Sequence, residues 1–272
     1  MSETTEMGEM GEMSDDRFPA PGTAALAADG SLLLGARRIP LPASVSPQAR
    51  AFLAMPRVTL GDRPPLADKE AWRRWVTTMN LGSEPRVAQM MALVGDRVRL
   101  ATREIAGVVV HVATPAESHP ARRDWLRITV HGGGLVYMGG SYARAEAGLV
   151  ALQSGCEAWS VDYRMPPDHP YPAAVDDVVA VYRAALATRA PGSVAISGAS
   201  AGGNIAAAAA LKARDLGLAL PGALGLFTPE CDLTESGDSF VTNLDVDNVL
   251  PGPLPEEIAL YADGADLRGS RE

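Results

Sequence analysis

The sequence predicts an α/β fold, a mostly parallel sheet with helices on both faces, and three observations carry that prediction. From about residue 107 onward, short apolar runs rich in β-branched residues alternate with single helix-length segments; strands separated by one helix each form parallel sheets covered on both sides. Two glycine-rich motifs stand directly after two of those runs, where a strand would hand over to the next element. The 272 residues are 47% hydrophobic and 21% charged, enough apolar surface for one large core or for a core with a smaller cap.

Taken in order, residues 1–16 hold Glu3, Glu6, Glu9, Glu12, Asp15 and Asp16 and no basic residue, the reverse of a secretory leader, and are expected to be a disordered acidic tail. The short repeat Glu6-Met7-Gly8, Glu9-Met10-Gly11 has neither the period nor the copy number of a solenoid. Residues 17–95 are expected to form an N-terminal helical cap region. Up to about residue 65 they are rich in Pro, Gly and Ala, which keeps helices short. Trp72, Trp75, Val76 and Met79 then fall at i, i+3, i+4 and i+7, and Val87, Met90, Met91 and Val94 repeat the spacing. That spacing predicts two amphipathic helices, whose Trp and Met side chains pack in the core or also wall a ligand pocket.

After Gly95 the pattern changes. Segments 107–112 and 125–130 are rich in β-branched residues and predict strands. Further strands are expected at 158–163, 193–197 and 223–227, with helices near 145–153, 173–187 and 201–215. Residues 96–232 are thus the expected core, and 233–272 a partial cap segment and the end of the chain.

Several function classes drop out. The net charge is −9 and no Lys/Arg cluster exists to release counterions, so nucleic acid is excluded as a partner. Cys156 and Cys231 have no C-x-x-C or Cys/His ligand spacing, so neither a disulfide framework nor a zinc site is signalled, and two buried thiols are expected. No apolar run reaches the length of a membrane span; the best short run is 205–211. The expectation is a soluble cytoplasmic chain with no metal and no cofactor.

Gly198-Ala199-Ser200-Ala201-Gly202 has the form G-x-S-x-G between the strand 193–197 and a helix beginning near Asn204. Such a turn needs small residues on either side of the serine, and it lifts the Ser200 hydroxyl clear of the sheet at the positive end of the helix. His131-Gly132-Gly133-Gly134 follows the strand 125–130 directly. Its glycines let backbone N–H groups point into a cavity without side chains in the way, as a tetrahedral oxyanion requires. A loop of this kind paired with a serine elbow is the arrangement of lipases and esterases. The expected donors are the amides of Gly133, Gly134 and Ala201, and a side chain added at Gly133 is expected to block the hole while leaving the fold nearly intact. A merely flexible turn is the alternative for the glycine run. A dinucleotide fingerprint is excluded, because Ser200 stands where G-x-G-x-x-G requires its second glycine.

Val161-Asp162-Tyr163-Arg164 and His169-Pro170-Tyr171-Pro172-Ala173-Ala174 complete a set of motifs by which the chain resembles the hormone-sensitive-lipase-like (bacterial family IV) esterases, over about residues 70–262. The resemblance implies an α/β-hydrolase-type sheet, Ser200 as nucleophile of an acyl-enzyme mechanism, a small-molecule ester substrate and an architectural role for the last two segments. Leu135 stands where the family more often has an aromatic, and is expected to contact substrate in the acyl pocket.

The family places an Asp and then a His after its serine. Here His111, His119, His131 and His169 all precede Ser200. His131 and His169 are expected to be structural histidines with satisfied hydrogen bonds. Residues 258–264 still resemble the family, and a polar stub, 268–272, ends the sequence. The sequence therefore predicts a C-terminal truncation with the last strands missing, and self-association through the sheet edge left exposed at 223–227. It predicts a carboxylic-ester hydrolase by descent, weak or inactive for want of acid and base. The alternatives are a non-catalytic protein that keeps the pocket, as the gibberellin receptors that resemble the family do, or a non-functional fragment.

Overall fold

The structure, a computed structural model, describes residues 24–26, 32–35, 40–56, 61–244, 247, 249–250 and 252–268. The acidic tail expected at 1–16 lies outside the described residues. The chain divides into two compact units, 1–56 and 57–272. In the first, β1 (Ala24–Leu26) pairs antiparallel with β2 (Leu32–Leu34). Its helix α1 (Pro47–Leu53) has seven residues and opens on Ser46, whose side chain accepts from the Ala49 N–H at 3.1 Å.

The second unit begins with α2 (Lys69–Val94), capped by Asp68, which accepts from the Ala71 N–H at 2.9 Å. It is one helix where the sequence predicts two. The buried positions Trp72, Val87, Met90 and Val94 explain why. At 3.6 residues per turn they fall within about 60° of one another, so a single straight helix keeps both apolar stripes on one side. Pro85 removes one bond, that to the carbonyl of Leu81; Leu81 is exposed, so water can replace it.

Next come β3 (Val98–Ile105) and β4 (Val108–Pro115), a hairpin turning at Ala106 and Gly107, which have φ of 53° and 81°. The remaining elements are β5 (Leu126–Val130), α3 (Ser141–Ser154), β6 (Glu157–Asp162), α4 (Ala173–Leu186), β7 (Val194–Ala199), α5 (Ala201–Asp215), β8 (Ala223–Phe227), α6 (Ser239–Thr242) and α7 (Pro255–Ala262). The sheet order is β3-β4-β6-β5-β7-β8. The pairs β3–β4 and β4–β6 are antiparallel, and β6, β5, β7 and β8 run parallel.

The chain leaves β5 through α3 to reach β6 on one side, and leaves β6 through α4 to reach β7 on the other. Right-handed crossovers in opposite directions put α3 and α4 on opposite faces, and the strand order reverses at β5. α2 packs on α3 over one face; α5 packs beside α4 on the other. The α2–α3 contact is close: a Cβ on Gly148 would lie 2.9 Å from a Val94 methyl. The main core joins Ile128, Val130, Val161 and Ile196 of the sheet to Val178 and Tyr182 of α4 and to Ile205 of α5.

β8 is the exception. Among the described residues it pairs with β7 alone, and its Leu224, Leu226 and Phe227 are 43%, 37% and 53% exposed. A groove of about 520 Å³, lined by Trp125, Ile196 and Leu224 among others, runs beside it. Cys156 is buried, but Cys231 is exposed, against the expectation of two buried thiols; it follows this uncovered strand. No helix among the described residues is long and apolar enough to cross a membrane.

Candidate active site

Ser200 sits between β7 and α5 with φ 55° and ψ −126°. A non-glycine residue there costs on the order of 1–3 kcal/mol and persists only if its surroundings hold it. Four backbone bonds do so. The Ser200 N–H donates to the Phe227 carbonyl at 3.0 Å, and the Ser200 carbonyl accepts from the N–H groups of Gly203, Asn204 and Glu230 at 2.9, 3.2 and 3.3 Å. The side-chain amide of Asn204 donates to the Glu230 carbonyl at 2.9 Å. The turn is therefore stapled to the loop that follows β8.

The motif glycines are required by contact. A Cβ on Gly198 would lie 2.1 Å from the Gly202 carbonyl oxygen, and one on Gly202 would lie 2.0 Å from that of Val130 and 2.5 Å from that of His131. The first turn of α5 thus rests directly on the end of β5, where the glycine loop starts. A Cβ on Gly132 would lie 3.0 Å from the Ala199 carbonyl oxygen and 3.6 Å from the Ser200 Cβ, so the loop backbone passes beside the serine.

Gly133, Gly134 and Leu135 have φ of 116°, 53° and 69°, and the Gly133 carbonyl accepts from the N–H groups of Val136 and Tyr137, both at 3.0 Å. Among the described residues Gly133 and Gly134 donate to no backbone group. Ala201, the first residue of α5, has no intrahelical acceptor for its N–H. Two expectations change here. A side chain at Gly133 would not simply fill a hole, because its Cβ would lie 2.1 Å from the Tyr137 carbonyl oxygen, where the loop doubles back. Leu135 is 1% exposed and belongs to the main core, so its side chain is packed inward rather than open to a ligand.

His131 is fully buried and stacks on Tyr163, ring centroids 4.1 Å apart. Burial lowers its pKa, so it is neutral, and its Nδ1 lies 2.8 Å from the Gly132 carbonyl oxygen and donates to it. Its Nε2 has no partner among the described residues, so the expected full satisfaction holds for one ring nitrogen only. His111 bridges Thr102 Oγ1 at 3.0 Å and Asp162 Oδ2 at 3.2 Å, His119 Nδ1 accepts from the Ala121 N–H at 3.3 Å, and His169 is exposed. None of these bonds reaches Ser200.

The segment after β6 braces the loop. Asp162 Oδ1 accepts from the Gly140 N–H at 3.0 Å; burial pushes its carboxyl up, but the hydrogen bonds from His111 and Gly140 outweigh that and hold it below its ordinary value. The Tyr163 hydroxyl donates to the His131 carbonyl at 2.9 Å. Arg164 donates through its N–H, Nε and Nη2 to the buried Asp177 at 2.8, 3.0 and 2.8 Å.

Other groups at the site have no mark in the sequence. Asn80 Oδ1 accepts from the Met138 N–H at 2.8 Å. The Tyr137 ring meets Trp75 edge-on at 5.9 Å, and its Cε1 would lie 3.3 Å from a Cβ on Gly134. Glu230 is pushed up to about 7 by burial, with Glu235 and Glu257 adding to it. Glu257 is fully buried; Oε1 accepts from Arg63 Nε at 2.9 Å, and Oε2 has no partner among the described residues. Only an acidic residue at a strand end, such as Glu230, could have drawn notice, and nothing local says what it faces.

A family model described as alpha/beta hydrolase fold matches residues 127–268. Carboxylesterase NlhH of Mycobacterium tuberculosis is 36% identical over 155 residues, 54% of this chain and 49% of that protein. The chain spans about half the length of this curated relative. The crystal structure of an esterase superposes with TM-score 0.79 at 32% identity, covering 88% of this chain and 74% of that one. A hormone-sensitive-lipase homologue, EstE7, from a metagenome library superposes with TM-score 0.60 at 32% identity, covering 73% and 70%.

Proposed function

Because the chain belongs to the alpha/beta hydrolase family, in its hormone-sensitive-lipase-like branch, we propose that it is a carboxylic-ester hydrolase by descent, with Ser200 as nucleophile. The amides of Gly133, Gly134 and Ala201 are the oxyanion donors. One observation carries this: a strained serine at a helix N-terminus lies beside a glycine loop in which the amides of Gly133 and Gly134 donate to no backbone group among the described residues. In the reaction Ser200 Oγ bonds to the ester carbonyl carbon, and the carbonyl oxygen takes the negative charge in reach of the three N–H groups. Collapse expels the alcohol and leaves an acyl-serine, which water opens to the acid. No cofactor enters either step.

The proton of Ser200 needs an acceptor, and none of the four histidines is hydrogen-bonded to it. With these 272 residues alone, turnover should resemble that of triad deletions, about 10³ to 10⁴-fold over water. The substrate class is a small or medium ester. Hydrolysis of p-nitrophenyl acetate should stay at this residual level, which the oxyanion donors and binding supply, and Ser200→Ala should be no lower than the parent chain; turnover well above that level and unchanged in Ser200→Ala would overturn the assignment of the nucleophile. That Ser200 Oγ has no side-chain partner among the described residues also favours a second reading, a binding protein that keeps the pocket, which a ligand retained through purification would support.

The uncovered β8 supports a partner as well. A second copy can pair its own β8 antiparallel, with Gly225 opposite Gly225 and Leu224 opposite Leu226, and the strand carries no charge to oppose this.

A further inference from the structure

α2 runs along the chain segment that follows the oxyanion glycines. Trp75 meets Tyr137, Asn80 accepts from the Met138 N–H, Glu84 Oε1 accepts from the Ser141 hydroxyl at 2.6 Å, and Arg86 lies over the Tyr142 ring. Val87 and Met90 then pack with Ala145. Within this series one contact bears on the reacting atoms. The Tyr137–Met138 peptide is gripped at its N–H by Asn80, at 2.8 Å, and its carbonyl oxygen lies 2.1 Å from where a Cβ on Gly133 would stand.

From this juxtaposition we propose that Asn80 is a positioning residue for the oxyanion hole: by holding one end of the Tyr137–Met138 peptide, it fixes the other end against Gly133 and so aims the Gly133 amide. The inference rests on the acyl-transfer reading of Ser200 given above. Five of the eight residues from Gly133 to Gly140 have positive φ, two of them, Leu135 and Met138, bearing side chains. A loop in that state has other conformations within reach unless something outside it selects one. Asp162 holds the far end at Gly140. Asn80 holds the middle, next to the donor. Rotating the freed peptide would move the Tyr137 carbonyl off Gly133, and the Gly133 N–H would turn with it.

The test needs an equilibrium probe of the hole, independent of a general base. A small alkylboronic acid serves: the Ser200 oxygen bonds to boron, the hydroxyl proton passes to the buffer, and boron becomes a tetrahedral anion with one of its oxygens where the donors point, so all variants are compared at one fixed pH. Its dissociation constant is measured with the full chain, with Asn80→Leu, which keeps the volume and removes the acceptor, and with Asn80→Asp, which keeps the acceptor. Asn80→Leu should bind the boronate about tenfold more weakly, the worth of one hydrogen bond, and Asn80→Asp should return to within about twofold of the parent chain. A role confined to structure would lower the melting temperature of both variants without that split. Parent-like affinity in a folded Asn80→Leu overturns the proposal, as does an equal loss in Asn80→Asp. If the parent chain forms no adduct, the acyl-transfer reading fails, and the proposal with it.

Discussion

Alanine at Gly202 puts a methyl group where there is no room, its Cβ 2.0 Å from the carbonyl oxygen of Val130 and 2.5 Å from that of His131. Both are backbone atoms at the buried end of β5, so no side chain can swing away. Clearing the shortest contact to 3.0 Å requires a shift of 1.0 Å between the start of α5 and the end of β5. Overpacking of this kind costs about 3 kcal/mol, the upper end of its usual range, against a whole-domain stability of about 5–15 kcal/mol. Gly82 is the control. It lies inside α2 with nothing within 4 Å of its Cβ position, so Gly82→Ala should stabilise by about 0.5–1 kcal/mol through helix propensity. Urea unfolding followed by far-UV circular dichroism, compared at equal slope, reads both. Gly202→Ala with a midpoint at or above that of the parent would refute the packing of the serine turn on β5.

At Gly133, alanine should lower stability by about 2 kcal/mol or more, because φ is positive and the Tyr137 carbonyl is in the way; an unchanged urea midpoint would contradict that loop geometry. Burial raises the Glu146 carboxyl to about 7 from an ordinary 4.5. The folded chain therefore holds this proton more tightly, and the resulting stability is complete below about pH 4.5 and lost as pH rises through about 7, by at most about 3 kcal/mol. Glu146→Gln should flatten that decline, and a parallel pH profile for parent and variant would count against it. Placing lysines at Leu224 and Leu226 should turn a self-associating, dye-binding chain into a monomer by sedimentation. A parent chain that is already a monodisperse monomer without dye binding would remove the edge-pairing argument.

The central strands were legible because β5, β6 and β7 are short segments set between segments of helical length, with Leu126, Ile128, Val130, Val161, Val194 and Ile196 at their buried positions. β3 was not, since Arg99, Arg103 and Glu104 interrupt its pattern at the sheet edge, and only its pairing with β4 makes it a strand. The division of α2 into two came from repeating a local spacing; Trp72, Val87, Met90 and Val94 share a phase only if the helix runs unbroken through Gly82 and Pro85, which no local spacing decides. Ser200 and the glycines were legible because their chemistry is written in consecutive residues. Asn80 was not, since its partner is a backbone amide 58 residues away in sequence. Leu135 shows the opposite failure: position in a motif suggested a pocket wall, and a φ of 69° turned the side chain into the core.

The central claim is that Ser200 and the amides of Gly133, Gly134 and Ala201 form one site able to hold a tetrahedral adduct. Boron-11 NMR of the full chain with a small alkylboronic acid tests it most directly, since trigonal and tetrahedral boron give separate signals. A tetrahedral signal that titrates to one equivalent and vanishes in Ser200→Ala is the predicted result. A chain that leaves the boron trigonal, or a tetrahedral signal that persists in Ser200→Ala, would contradict it.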